Sequence, residues 1–245
     1  MKKVALITGA SKGLGFETAF QLGLQGYDVL VTARDKEKCL ESAEKLKAKG
    51  ISAVGVKLDL SSIEDINHAS KFVSDRYGKL DVLVNNAGVQ LDLPGFMPGN
   101  STENVSLDIL RQTFEINYFS QIVLTQKFLA LLKKSTAARI VNVSSIMGSL
   151  ALHADSKSPI YGIKLLAYNS SKTALNQFTV HLAEALKGTA IKVNSAHPGW
   201  VKTDLGGAYA PMTVAEGVKT IVALSILDEG GPTGAFIHLG ESLPW

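Results

Sequence analysis

Cysteine is nearly absent: Cys39 stands alone in 245 residues. No disulfide can form within the chain, and the sequence suits a reducing compartment. Long hydrophobic runs are missing too. The longest, Phe128 to Leu132, has five residues, far short of the ~20 needed to span a bilayer. Met1-Lys2-Lys3 leads straight into a short apolar stretch ending at Thr8-Gly9, with no cleavage-like segment of a secretory leader. Charge is scarce, at 19% of residues against roughly 25% in an average soluble domain. The formal net charge of +3 is spread rather than clustered, which gives no footprint for nucleic acid. His153, His197 and Cys39 have no metal-like grouping. What is plentiful is apolar material, 46% of the chain, and this excludes a disordered protein. The expectation is a globular, cytoplasmic chain without nucleic-acid, membrane or metal partners.

Short β-branched runs alternate with longer amphipathic stretches from end to end. Strands are expected at Val4 to Thr8, Val29 to Thr32, Ala53 to Leu58, Leu80 to Val84, Arg139 to Val143, Ile191 to Ser195 and Ala235 to Leu239. Helices are expected after Gly13 to near Gly26, from Lys36 to Lys49, Ser61 to Tyr77, Leu107 to Lys134, Leu166 to Leu186 and Val214 to Leu227. The strands read as continuous apolar runs, the mark of burial on both faces. Strands separated by helices give right-handed crossovers and a parallel sheet covered on both sides. With no linker, repeat or low-complexity tract, the pattern predicts an α/β fold. It is a three-layer, doubly wound, seven-stranded parallel sheet in one domain over residues 1–245. Val89 to Val105 and Ser149 to Leu165 fit no element. Both follow strands at the sheet edge where ligands bind in such folds.

Between the first strand and its helix stands Thr8-Gly9-Ala10-Ser11-Lys12-Gly13-Leu14-Gly15. Glycines there let the backbone turn tightly against a pyrophosphate, while the helix offers free N–H groups and its positive dipole end. The second strand ends Thr32-Ala33-Arg34-Asp35. An acidic residue in this place suits the ribose hydroxyls of NAD, and an arginine suits a 2′-phosphate. Arg34 with Lys12 against the single carboxylate of Asp35 favours NADP(H) over NAD(H).

Further strand ends carry Asn85-Asn86-Ala87-Gly88 and Asn142-Val143-Ser144-Ser145, and a later helix carries Tyr168-Asn169-Ser170-Ser171-Lys172. Residues four apart on a helix share a face, and Tyr168 is the only one of six tyrosines with a lysine four positions further on. A phenol with a pKa near 10 exchanges protons poorly at neutral pH, and a nearby ammonium is expected to lower it.

Together these residues resemble the short-chain dehydrogenase/reductase family over essentially the whole chain. The matching pieces are Thr-Gly-x3-Gly-x-Gly at 8–15, Asn-Asn-Ala-Gly at 85–88, Asn117, Ser145, Tyr-x3-Lys at 168–172 and Pro-Gly at 198–199. The stretches 31–35, 141–147 and 198–204 look more narrowly like the NADPH-dependent carbonyl reductases of that family. The resemblance implies a catalytic set in which Tyr168 protonates the substrate oxygen and Lys172 lowers the tyrosine's pKa and holds the nicotinamide ribose. Ser145, rather than Ser144, would hydrogen-bond the oxyanion, and Asn117 would support a water relay to Lys172. It places the cofactor along Gly9, Ser11, Lys12, Gly13, Leu14 and Gly15, beside Arg34. From there it runs past Asp59 and Leu60, Asn86, Ala87 and Gly88, to Tyr168, Lys172, Pro198, Gly199, Val201 and Thr203. Asp59 and Thr203 also suit helix caps, and Trp200 suits either the core or a pocket wall.

One departure stands out. Ser145 and Tyr168 lie 23 residues apart, more than is usual in the family. The insertion at 149–165, with His153, Lys157, Pro159 and Tyr161, is expected to border the substrate pocket. It lies beside the helix by which many relatives associate, so a monomer and a homo-oligomer both stay open. The implied activity is hydride transfer between NADP(H) and a small-molecule carbonyl or secondary alcohol. The competing reading is a catalytically silent NADP(H)-binding sensor or scaffold.

Overall fold

The computed structural model describes residues 2–93 and 99–245. The 94–98 part of the segment Val89 to Val105, including Pro94, Gly95 and Pro98, lies outside the described residues. The strands are β1 (Val4–Ile7), β2 (Asp28–Ala33), β3 (Ala53–Lys57), β4 (Val82–Asn85), β5 (Arg139–Val143), β6 (Lys192–Ala196), β7 (Phe236–His238) and β8 (Glu241–Ser242). They form one sheet in the order β3-β2-β1-β4-β5-β6-β7-β8. The seven expected strands all pair in parallel. The eighth, unforeseen, turns back antiparallel on β7. Two residues long and at the edge, it is too short to carry a periodic signal.

The apolar runs divide their residues between two cores, because successive strand side chains point to opposite faces. Leu6, Leu30, Leu83, Ile140 and Val193 face one way, onto Ile66, Leu124, Phe128 and Leu182. Those partners come from α3 (Ile63–Tyr77), α5 (Ser120–Leu132) and α7 (Leu166–Ala185). Ile7, Val31, Val84, Val141 and Ala196 face the other way, onto Leu22, Leu46, Ile221 and Leu224. Here the covering helices are α1 (Gly13–Leu24), α2 (Lys36–Lys47) and α9 (Lys219–Ser225). Each such side chain contributes roughly 1.5–3 kcal/mol on burial, so both layers are held to the sheet by hydrophobic packing. Asp81, an acid buried at the entry to β4, is matched by Val4 N, Lys79 Nζ and Ser135 Oγ at 2.6–2.8 Å.

Two expected helices differ in detail. The one over 107–134 consists of α4 (Leu107–Phe114), a π-helical turn (Glu115–Phe119) and α5. The one over 214–227 is split into α8 (Val214–Gly217) and α9. At Gly217 a β-carbon would strike Val201 and Leu14, so the glycine lets the chain press close to both and redirect. Residues 149–165 form the short α6 (Leu150–Ala154) and a loop. That loop meets the segment after β4 at Lys164, whose N–H donates to Gly99 O and whose carbonyl accepts from Ser101 N.

Candidate active site

The cradle is built on Thr8, which ends the first apolar run. Its hydroxyl accepts the N–H groups of Asn86 and Ala87, both at 2.9 Å. In return Asn86 Nδ2 donates to Thr8 O at 2.7 Å and Gly9 O at 3.2 Å. The ends of β1 and β4 are thereby fastened together. Gly13 adopts φ +56°, a left-handed backbone that favours glycine. A β-carbon on Gly15 would lie 2.5 Å from Gly9 O, so the loop closes only because a hydrogen stands there. Lys12, at the N-cap of α1, offers no side-chain cap, and the first turn holds no acid. Open helix N–H groups of this kind suit a phosphate. Thr203 packs beside Gly13, which brings the far Pro-Gly loop to the cradle. Its hydroxyl accepts Gly206 N at 3.1 Å.

At the adenine end, Asp35 is the N-cap of α2 and accepts Glu37 N at 2.8 Å and Lys38 N at 3.2 Å. Its carboxylate is thus occupied, and the exposed Arg34 is left at the strand end. Lys12 is paired with Asp204, both exposed. Asp59 accepts from Ser61 N and Oγ, while Ser62 caps α3, so Asp59 braces a turn just before that helix. The Leu60 side chain is in the core. Val201 is buried and bridges to Met212. Trp200 is half exposed, its indole N–H donating to Gly206 O at 2.7 Å.

Tyr168 and Lys172 share the buried face of α7. The Lys172 ammonium donates to Val143 O at 2.8 Å and lies 5.7 Å from the centre of the Tyr168 ring. Ser145 hydrogen-bonds the Tyr168 hydroxyl and accepts Met147 N at 3.2 Å. Ser144, by contrast, is buried with no hydroxyl partner among the described residues. Asn117, wholly buried in the π turn, accepts Val89 N and donates to Val89 O, both at 2.8 Å, and to Ser171 Oγ at 3.0 Å. A β-carbon on Gly88 would stand 3.3 Å from Asn117 Oδ1 and 3.4 Å from Lys172 Nζ. The missing side chain therefore leaves room beside the very groups that would hold a nicotinamide ribose. With the cradle at one end and this space at the other, the residues fit an extended dinucleotide.

The electrostatics correct one expectation. Burial pushes the Tyr168 phenol up to about 12, with the Ser145 hydrogen bond pulling the other way. Burial also brings the Lys172 amine down to about 8. Any lowering of the phenol by Lys172 is therefore outweighed by burial, the largest cause of the shift in both groups. His197, beside the Pro-Gly pair, accepts the N–H of Ile146 at 3.2 Å and of Gly199 at 3.4 Å through Nδ1. Burial, and next the His238 ring, hold its imidazole down at about 3. Val143 O, Ser171 and His197 carry no spacing signal and were not foreseen in these supporting positions. Among the described residues no cluster of three His, Cys, Asp or Glu side chains could hold a metal. No helix among them is long and apolar enough to cross a membrane.

Known proteins resemble this chain along most or all of its length. A short-chain dehydrogenase of Penicillium roqueforti is 38% identical, over 96% of this chain and 92% of its own. A mouse carbonyl reductase [NADPH] is 30% identical, over 100% of this chain and 99% of its own. The crystal structure of an NADPH-bound carbonyl reductase from chicken fatty liver superposes with a TM-score of 0.85. It is 31% identical and covers 100% of this chain and 99% of its own. Residues 3–213 match the short chain dehydrogenase family profile, and the chain, with its Rossmann-type sheet, belongs to that family of nicotinamide-dependent oxidoreductases.

Proposed function

We propose that the protein is an NADP(H)-dependent carbonyl reductase, with Tyr168 as proton donor. The carrying observation is that Ser145 hydrogen-bonds Tyr168, that Lys172 shares the buried face of α7 with that tyrosine, and that Lys172 and Asn117 flank Gly88. The glycine loop and the open N-terminus of α1 would hold the pyrophosphate. Arg34, freed by the capping role of Asp35, supports a 2′-phosphate there. Asp59, Asn86, Pro198, Gly199 and Thr203 would line the rest of the groove. The NADPH-bound carbonyl reductase named above supports this cofactor preference.

When bound, the reduced nicotinamide supplies a hydride for the carbonyl carbon. The Tyr168 hydroxyl, protonated at any working pH, donates its proton to the carbonyl oxygen. Ser145 Oγ, already bonded to Tyr168, orients that oxygen and stabilises its developing charge. Lys172 presents a charged amine below about pH 8, which favours the phenolate left behind. Asn117, tied to Val89 and Ser171, keeps the widened helix turn in place beside Lys172. Around Tyr168 lie Met147, Ile160 and Leu165, with Leu93, Leu152 and Leu205 against them. That wall fits an apolar aldehyde, ketone or quinone, and the 149–165 insertion supplies much of it.

The test is loss of NADPH absorbance with a panel of aldehydes, ketones and quinones, run beside NADH. Turnover with at least one apolar carbonyl and a preference for NADPH are expected. Tight NADPH binding with no turnover on any member would favour a sensor instead.

A further inference from the structure

Helix α7 starts without a cap of its own. Its N-cap residue is Leu165, which has no side-chain oxygen to offer the first turn, although the opening N–H groups of a helix need acceptors. They find them more than sixty residues away. Leu166 N donates to Ser101 Oγ at 2.9 Å, Ala167 N to Asp92 Oδ1 at 2.8 Å, and Tyr168 N to Asp92 Oδ2 at 2.9 Å. Ser101 Oγ in turn donates to Asp92 Oδ1 at 2.6 Å, a short contact of the charge-assisted kind. The pairing of Lys164 with Gly99 and Ser101 closes the arrangement from the insertion side.

We propose that Asp92 is a positioning residue for Tyr168. Its carboxylate, carried by the segment after β4, caps the catalytic helix from outside and fixes where the tyrosine stands. The proposal rests on the reductase reading and deepens it. Three observations carry it. One carboxylate takes two consecutive N–H groups, the second belonging to Tyr168 itself, so the phenol's own backbone is referenced to Asp92. The adjacent Leu93 packs against the apolar cluster that contains Tyr168, so one dipeptide meets both the tyrosine's backbone and the cluster around it. An anion at this end is also favoured by the helix dipole, and Asp92 supplies it to a helix with no acid in its first turn. A general acid displaced by about 1 Å loses roughly 100-fold in rate, so releasing this cap should be felt in the chemical step.

The experiment compares wild type with Asp92→Ala, Asp92→Asn and Ser101→Ala. It measures kcat and KM for a carbonyl substrate, NADPH affinity, and amide hydrogen exchange at Leu166–Tyr168. For Asp92→Ala, kcat should fall about 10- to 100-fold, with NADPH affinity kept within about threefold and exchange in the first turn of α7 accelerated. Asp92→Asn retains one neutral acceptor oxygen and should recover part of both losses. A kcat for Asp92→Ala within about twofold of wild type, or equal losses of kcat and NADPH affinity, would overturn the role. Should Asp92→Ala not fold, Ser101→Ala and Asp92→Asn decide. Both should show faster exchange at Leu166–Tyr168 with a lower kcat, and unchanged exchange would overturn the cap. Exchange does not depend on chemistry, so the two failures separate. A wild type without turnover defeats the reductase reading and the role that depends on it. Unchanged exchange defeats the cap itself.

Discussion

Lys172 Nζ stands 5.7 Å from the centre of the Tyr168 ring, one turn further along the same helix, and its proton is held by the carbonyl of Val143. The lysine is thus anchored to the end of β5, the strand that also delivers Ser145.

That arrangement makes Tyr168 the group whose loss should be felt in chemistry alone. Tyr168→Phe keeps the ring that packs against Met147 and Leu165 and deletes the hydroxyl, its proton and its hydrogen bond to Ser145. Turnover should drop about 100- to 10,000-fold, the span typical of a positioned acid, while NADPH affinity stays within about threefold. Steady-state rates alongside fluorescence titration with NADPH check both halves. In the wild type, reduction should decline as pH rises through about 8, where Lys172 loses its charge. No decline should come from Tyr168, which keeps its proton to about 12. A pH profile flat to 9.5 would show that the charge on Lys172 is not needed.

The same lysine should weaken the fold that it serves. Free lysine holds its proton to about 10.4, whereas buried Lys172 gives it up near 8. Below 8 the folded state carries the full cost of the buried charge, about 3 kcal/mol from that difference. As pH rises from 8 towards 10.4 the folded protein is relieved of it, and this cost fades. Lys172→Met removes the charge but strands the carbonyl of Val143, a loss of about 1–3 kcal/mol. The variant should be inactive, yet at least as stable as wild type at pH 7, and its relative advantage should shrink by pH 9.5. Urea unfolding at the two pH values is the measurement, and a variant weaker at pH 7 than at 9.5 contradicts the assignment.

Arg34 and Asp35 sit side by side, and only their surroundings tell which one meets the cofactor. With Asp35 occupied by Glu37 N and Lys38 N, Arg34→Asp should cut the NADPH-over-NADH preference in kcat/KM about 10- to 100-fold, the worth of one or two charge-assisted hydrogen bonds. Asp35→Ala should instead lower stability by about 1 kcal/mol, as loss of an N-cap does, and leave the preference nearly unchanged. The reverse pattern in the two variants would exchange their roles.

The strands and most helices are legible because burial on both faces writes an apolar run, and helix ends are marked by Gly26, Gly50, Gly78 and Gly188. The glycine loop and the Tyr168–Lys172 pair are legible for a similar reason, since each is a local spacing rule. The π turn at Glu115–Phe119 is not, because its cause is tertiary: Asn117 is drawn inward to meet Val89 and Ser171. Nor is the cap by Asp92, where donor and acceptor lie 75 and 76 positions apart. The behaviour of the Tyr168 phenol is likewise set by the depth of burial, which no pair spacing encodes.

His197 offers the last test, because it acts through an acceptor that protonation would destroy. Its Nδ1 takes the N–H groups of Ile146 and Gly199, tying the residue after Ser145 to the Pro-Gly loop, with the His238 ring centred 4.7 Å away and tilted at 42°. The folded imidazole holds no proton until about 3, whereas the unfolded one takes it near 6.5. Between these values the unfolded state binds the extra proton, so stability falls as pH drops below about 6.5, by up to about 1.4 kcal/mol per pH unit. His197→Asn places Oδ1 where Nδ1 stood and does not titrate. It should leave stability at pH 7 within about 1 kcal/mol of wild type, since both N–H groups keep an acceptor, and flatten the loss between pH 6.5 and 4.5. His197→Leu abandons both groups and should destabilise by about 2–4 kcal/mol at pH 7, a deficit that narrows towards pH 4.5 because leucine, unlike His197, does not titrate. Thermal unfolding of the three proteins across that range separates the effects, because other acid-sensitive groups are common to all. Parallel acid limbs in wild type and His197→Asn would show that the imidazole already carries its proton in the fold.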